Sequence, residues 1–155
     1  MARGLYWDPT TTEISENHDL AIVCAAIPNA VICLLSALQF HGLTSEWPGE
    51  IWIAIDRQSK IPKSLKAPLR VHRFSKPTLE FGIEEHGIEG VIVRVTSPEK
   101  TVADCFRFRN RYGTDVAVEA LRDYLKRRQP IEGLLTAARV CRVENVIRPY
   151  LEALM

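Results

Sequence analysis

The sequence has no long hydrophobic run. Its most apolar stretch, Leu20 to Ile27, is eight residues and closes at Pro28-Asn29, whereas a bilayer-spanning helix needs about 20. The N-terminal residues lack the basic-then-apolar order of an export leader. These two absences set the expectation of a cytoplasmic protein with no membrane partner. Cysteine is sparse: Cys24, Cys33, Cys105 and Cys141 are the only four, and no two stand as C-x-x-C. That spacing argues against a zinc ribbon and a disulfide framework, and the four read as buried free thiols. A charge excess is missing too. Twenty basic and nineteen acidic side chains give a net +1, so only a local patch can hold nucleic acid. There is no internal repeat and no low-complexity linker.

Catalytic signatures are missing as well. The chain has no P-loop, no G-x-G-x-x-G, no H-E-x-x-H and no G-x-S-x-G. His18, His41, His72 and His86 are far apart, without metal-ligand spacing to one another or to a cysteine. Neither a metal site nor a cofactor is expected. One partial match is worth stating. Asp56 and Lys60 follow an apolar strand, as in nucleases where carboxylates at strand ends hold Mg²⁺. That chemistry needs a second carboxylate beside the lysine, and Gln58 stands there. Lys100 and Asp104, one helical turn apart, read as a surface or half-buried ion pair rather than a catalytic dyad. Cys105 has no histidine in its own segment to activate it.

What is present is ordinary globular material. Of the 155 residues, 46% are hydrophobic and 25% charged, enough for one domain with its own core. Met1 to Trp7 reads as a short strand. Leu20 to Ile27, capped from Ser15 or Asn17, and Ala30 to His41, ending at Gly42, read as two helices lacking a polar face and therefore deeply covered. Ile51 to Ile55 is a continuous apolar run, expected as a central strand. Leu69 to Phe74 is a second strand. Ile83 to Ile88 and Val91 to Thr96 flank Glu89-Gly90, which is hairpin chemistry, with Val91, Val93 and Val95 on one face. Ser97-Pro98 starts a helix running toward Gly113. Three more follow: one capped by Thr114, one after Pro130, and one built on Val143, Val146, Ile147, Tyr150, Leu151 and Leu154. The fold class expected is α+β: a small antiparallel sheet with a helical N-terminal pair and a helical C-terminal half.

Charge is segregated along the chain. Arg57, Lys60, Lys63, Lys66, Arg70, Arg73 and Lys76 lie between positions 57 and 76 without one acidic residue, giving +7. Positions 77 to 90 hold Glu80, Glu84, Glu85 and Glu89 with no lysine or arginine, giving −4. Two readings are open. The lysines form a loop that reaches phosphates, or they are solvated surface with the glutamates facing them. A second basic set, Arg107, Arg109 and Arg111, is interleaved with Phe106, Phe108 and Tyr112. It fits base stacking in principle, but arginines closing a helix C-terminus against its dipole explain it better.

Three segments, taken in order, resemble a known family: Val31-Ile-Cys-Leu-Leu-Ser-Ala-Leu-Gln-Phe-His-Gly42, Ser97-Pro-Glu-Lys-Thr-Val-Ala-Asp-Cys105, and Ala138 to Val143 together with Arg148 to Leu154. They are similar to the C-terminal domain of AbiEi-type antitoxins, transcriptional regulators of type IV toxin–antitoxin and phage-defence systems. The resemblance implies a winged-helix DNA-binding module followed by an α+β effector domain without catalysis of its own. It further implies a nucleotidyltransferase-like toxin as partner. On that resemblance, residues 1–9 are a remnant wing strand of a missing winged helix and residues 10–155 are the effector domain. Arg3 then stands at a wing tip as a phosphate contact, and Lys60, Lys63, Lys66, Arg70 and Arg73 supply a backbone-binding loop. Leu5 and Trp7 on the exposed strand offer an edge for a homodimer. The alternatives are a divergent metal-dependent nuclease built on Asp56 and Lys60, or a non-specific nucleic-acid-binding domain.

Overall fold

A strand that is apolar at every position needs cover on both of its faces, and Ile51–Ile55 has it. A computed structural model describes residues 17–155. Arg3, the expected strand Met1 to Trp7 and the edge offered by Leu5 and Trp7 lie outside them. The elements are α1 (His18–Ala26), β1 (Val31–Ile32), α2 (Leu34–His41), β2 (Ile51–Ile55), β3 (Leu69–Arg73), α3 (Lys76–Glu80), β4 (Ile83–Ile88), β5 (Val91–Thr96), α4 (Pro98–Arg107), α5 (Arg109–Tyr112), α6 (Thr114–Lys126), α7 (Ile131–Val140) and α8 (Glu144–Leu154). The class is α+β, with a five-stranded sheet in the order β3-β2-β1-β5-β4.

The sheet is mixed rather than antiparallel. β4–β5 and β1–β2 pair antiparallel, while β2–β3 and β1–β5 pair parallel. The reason lies in the connection. Residues 56–68, thirteen in all, separate β2 from β3, long enough for the crossover that a parallel pair requires and a hairpin does not. The hairpin itself forms where the sequence places it. Glu89 and Gly90 both take positive φ, 51° and 79°, the pattern of the two-residue turn that matches strand twist.

The expected helix Ala30–His41 is split. Val31 and Ile32 form the middle strand of the sheet, opposite Ala54 and Ile53 on one side and Arg94 and Val95 on the other. Two β-branched residues with partners on both sides gain more from ladder bonding than from one more helical turn. Leu34 then turns the chain into α2 with φ 50°, and α2 ends on left-handed Gly42 as expected.

The alternation of β2 divides the core. Ile53 and Ile55 join Ile32, Val93 and Val95 beneath Ala21, Val23 and Cys24 of α1. Trp52 and Ala54 face the other way, toward α4, α6, α7 and α8. Ile92, on the outer face of β5, is 64% exposed. All four cysteines are free and buried.

Ser97 caps α4 by accepting the Lys100 backbone N–H at 3.2 Å, with Pro98 at the first helical position. Helix α4 stops at Phe108, and the single turn α5 carries the chain on to Gly113. Gly113, not Thr114, holds the cap position of α6. The short α3 between the two edge strands had no clear periodicity in the sequence.

Candidate functional site

The crossover between β2 and β3 is pinned at its base. The Asp56 carboxylate accepts backbone N–H bonds from Gln58 at 2.8 Å and Ser59 at 2.6 Å. The Ser59 side chain and these two amides hold Asp56 below the ordinary carboxylate range. Arg73 donates to the carbonyls of Asp56, at 3.0 Å, and Ser59. Arg70 donates to Glu50 at 3.0 and 2.8 Å while its guanidinium sits 5.2 Å over the Trp52 ring. Two of the five basic residues expected on the loop are therefore on β3 instead, Arg73 holding the base of the crossover and Arg70 paired with Glu50. Lys60, Lys63 and Lys66 are exposed, and none forms a salt bridge with a described residue.

The glutamates do not face these lysines. Glu84 meets His86 at 2.9 Å, Glu85 meets Arg94 at 3.4 Å and Glu89 meets His18 at 2.7 Å. Glu84 and Glu85 are on β4, the far edge of the sheet from β3, with Glu89 in the turn that follows, whereas Glu80 is on α3 next to β3. Charge segregation along the chain is thus partly kept across the sheet: a basic edge at β3, and three of the four glutamates on or beside β4.

Of the second basic set, Arg109 closes α4 as expected, donating to the Phe106 carbonyl at 2.8 Å. Arg107 stacks on Phe74 at 4.8 Å and Phe108 at 4.9 Å, with a buried Nη1 that has no hydrogen-bond partner among the described residues. Arg111 lies 5.4 Å over Tyr112. These ring faces serve cations of the chain itself.

Lys100 and Asp104 correct the sequence reading. Both side chains are wholly buried, with Nζ 2.9 and 2.8 Å from the two carboxylate oxygens. Helix α4 is enclosed by α2, α6, α7 and α8, so its polar pair falls inside. The Cys141 thiol donates to the same carboxylate at 3.3 Å, and Nζ lies 5.0 Å over the Phe74 ring. Burial pushes the Asp104 carboxyl up, opposed by the Lys100 ammonium and the Cys141 thiol. Burial likewise raises Cys33 and Cys105, and takes Cys141 up to about 12. A thiol held protonated is a poor nucleophile.

Two residues of this cluster escaped the sequence reading. Gly82 has φ +67°, and a Cβ there would lie 2.8 Å from Lys100 Cβ. His72 is buried beside the cluster, bonded through Nε2 to the Tyr112 hydroxyl at 2.7 Å and through Nδ1 to the Ile53 carbonyl at 3.2 Å. The glycine gave a signal, a lone Gly before a strand, but no sequence pattern links it to Lys100.

Asp56, Glu80 and Glu85 line one open groove, yet among the described residues no three His, Cys, Asp or Glu side chains come close enough to hold a metal ion. Among the same residues no helix is long and apolar enough to cross a membrane. In comparisons with known proteins, no family model and no curated protein matches the chain.

Proposed function

We propose that this chain is a non-catalytic effector domain of the AbiEi antitoxin type. It neutralises a nucleotidyltransferase-like toxin and assists DNA binding through Lys60, Lys63 and Lys66. One observation carries the reading: the three segments of the resemblance, far apart in sequence, pack into one core. Cys33, Leu34 and Leu38 from the first, Val102, Ala103 and Cys105 from the second, and Ala138, Cys141 and Leu151 from the third share one cluster. The second and third are joined through the Asp104–Cys141 bond. Motifs that meet in space belong to one folding unit, which supports reading them together. Its polar centre is fully enclosed, with burial holding its thiols protonated, so it suits holding a shape rather than breaking a bond.

The lysines favour backbone contact. They stand on a connection held from below by Asp56 and Arg73, and Glu84, Glu85 and Glu89 of the acidic run are paired with His86, Arg94 and His18 instead. Each phosphate they neutralise adds close to one unit to the salt dependence of binding.

The test has two arms. The purified nucleotidyltransferase-like protein encoded beside this chain should form a stoichiometric complex with it in gel filtration, and co-expression should relieve that protein's growth arrest. Failure of both removes the antitoxin reading. In the second arm, duplex DNA anisotropy should show weak binding with a steep salt slope. The slope should flatten by roughly two in Lys63→Glu/Lys66→Glu. Binding indifferent to that change removes the DNA contact and leaves the toxin arm standing.

A further inference from the structure

On the helical side of the sheet, away from the lysine loop, lies a cavity of about 140 Å³. Leu34, Leu35, Trp52, Cys105, Tyr112 and Val116 form its walls, with Glu46 and Gly113 beside them. We propose that this cavity is a binding site for a small uncharged aromatic molecule of one ring.

The size carries the first part of the argument. An apolar cavity of about 150 Å³ stays dry and takes a benzene ring. A single ring fits this volume with room to move, whereas a fused second ring would leave almost none. The chemistry of the walls carries the second. Trp52 and Tyr112 meet edge to face with centroids 4.6 Å apart, an arrangement that a further ring extends. Cys105 adds a soft sulfur of the kind that packs well on aromatic groups. Among the described residues Glu46 is the one acidic or basic side chain of the lining and it is exposed, so a charged ring finds no buried partner there.

The backbone carries the third. Leu34 holds φ 50° while 2% exposed, a conformation that costs a bulky side chain energy. Relaxing it would turn a wall of the cavity.

The opening suits a free molecule: the exposed members of the lining are Glu46 and Gly113, whereas the apolar walls are buried or half-buried. Trp47, 75% exposed, opens onto a different groove with Leu20 and Phe40.

The experiment is a methyl NMR titration of the full chain with benzene and, separately, naphthalene. Saturable shifts at the Leu34, Leu35 and Val116 methyls with benzene are expected, with at least tenfold weaker binding of naphthalene. Val116→Phe, which places a ring in the cavity, should weaken benzene at least tenfold while leaving the melting temperature level or higher; Leu35→Phe gives the same readout should the first variant not fold. No saturable shift at these methyls overturns the proposal, as does unchanged benzene affinity in a folded cavity-filling variant. Tighter binding of naphthalene than of benzene overturns the single-ring assignment.

Discussion

The buried Lys100–Asp104 pair allows a sharp test by double-mutant cycle. Replacing Asp104 by Leu leaves an ammonium at zero exposure with one remaining partner, the Phe74 ring at 5.0 Å. A cation–π contact supplies about 0.5–2 kcal/mol, far less than two charge-assisted bonds at 2.8–2.9 Å. Breaking a buried pair from one side costs about 3–5 kcal/mol. For a chain of this length that lowers the melting temperature by roughly 6–20 °C. Lys100→Met strands the carboxylate with the Cys141 thiol alone. Because burial already pushes Asp104 up, it then takes up a proton, which limits the loss. Lys100→Met should therefore be the milder single substitution, and milder still at low pH.

The double variant Lys100→Met/Asp104→Leu removes both charges and fills the same space. Replacing a whole buried pair with apolar groups is commonly neutral or stabilising, so the double should lie within about 2 kcal/mol of the parent. Urea unfolding followed by circular dichroism reads all four corners. A coupling of several kcal/mol is expected, as a lower bound if a single variant fails to fold while the double does. Additive losses, or an Asp104→Leu cost under about 1 kcal/mol, would refute the argument that burial dominates this pair.

Three shorter predictions rest on neighbours of the pair. Gly82→Ala should destabilise by more than the roughly 1–2 kcal/mol of a left-handed non-glycine residue, since its Cβ would also meet Lys100 Cβ at 2.8 Å; thermal melts check it. Ellman's reagent should modify no cysteine of the native chain, since all four are buried, and labelling should follow unfolding as urea rises. His72 is lowered by burial first, with the Arg111 and Arg70 charges adding to the effect. Its neutral form thus stabilises the fold above pH 6.5, and that stability is lost as pH falls through the lowered value. Between pH 6.5 and 5 the parent should lose stability faster than His72→Phe, by at most about 1.4 kcal/mol per pH unit for one proton.

Local chemistry made much of the fold legible. Glu89-Gly90 required the hairpin, Ser97-Pro98 required a helix start, and a stripe such as Val143, Val146, Ile147 and Leu151 has a single helical reading. The strand Val31–Ile32 was not legible, since two residues carry no period and their reason for being extended is Ile53, Ala54, Arg94 and Val95, supplied from distant segments. The parallel pairing of β2 with β3 is equally non-local: thirteen loop residues permit it without specifying it. Lys100 and Asp104 show the same limit in energetic terms. Spacing of i and i+4 predicts the contact, whereas burial depends on what packs around α4, and that changes the pair from a marginal surface contact to one whose breaking costs about 3–5 kcal/mol.

The same distinction locates function. The segments that carry the family resemblance are packing segments, so their substitution should change stability and, through it, every activity in proportion. The loop lysines are exposed and form no salt bridge with a described residue, so they contribute little to the fold. Lys63→Glu and Lys66→Glu should therefore each leave the melting temperature within about 2 °C, since exposed substitutions away from specific contacts shift stability by no more than about 0.5 kcal/mol, while changing any phosphate-dependent binding. A stability-neutral lysine variant that alters DNA affinity, beside a destabilised Asp104 variant whose remaining folded fraction binds normally, separates surface recognition from core integrity. The reverse pattern, with DNA affinity lost in the folded Lys100→Met/Asp104→Leu chain and kept in the lysine variants, would place recognition at the buried cluster and remove the basic edge from the account.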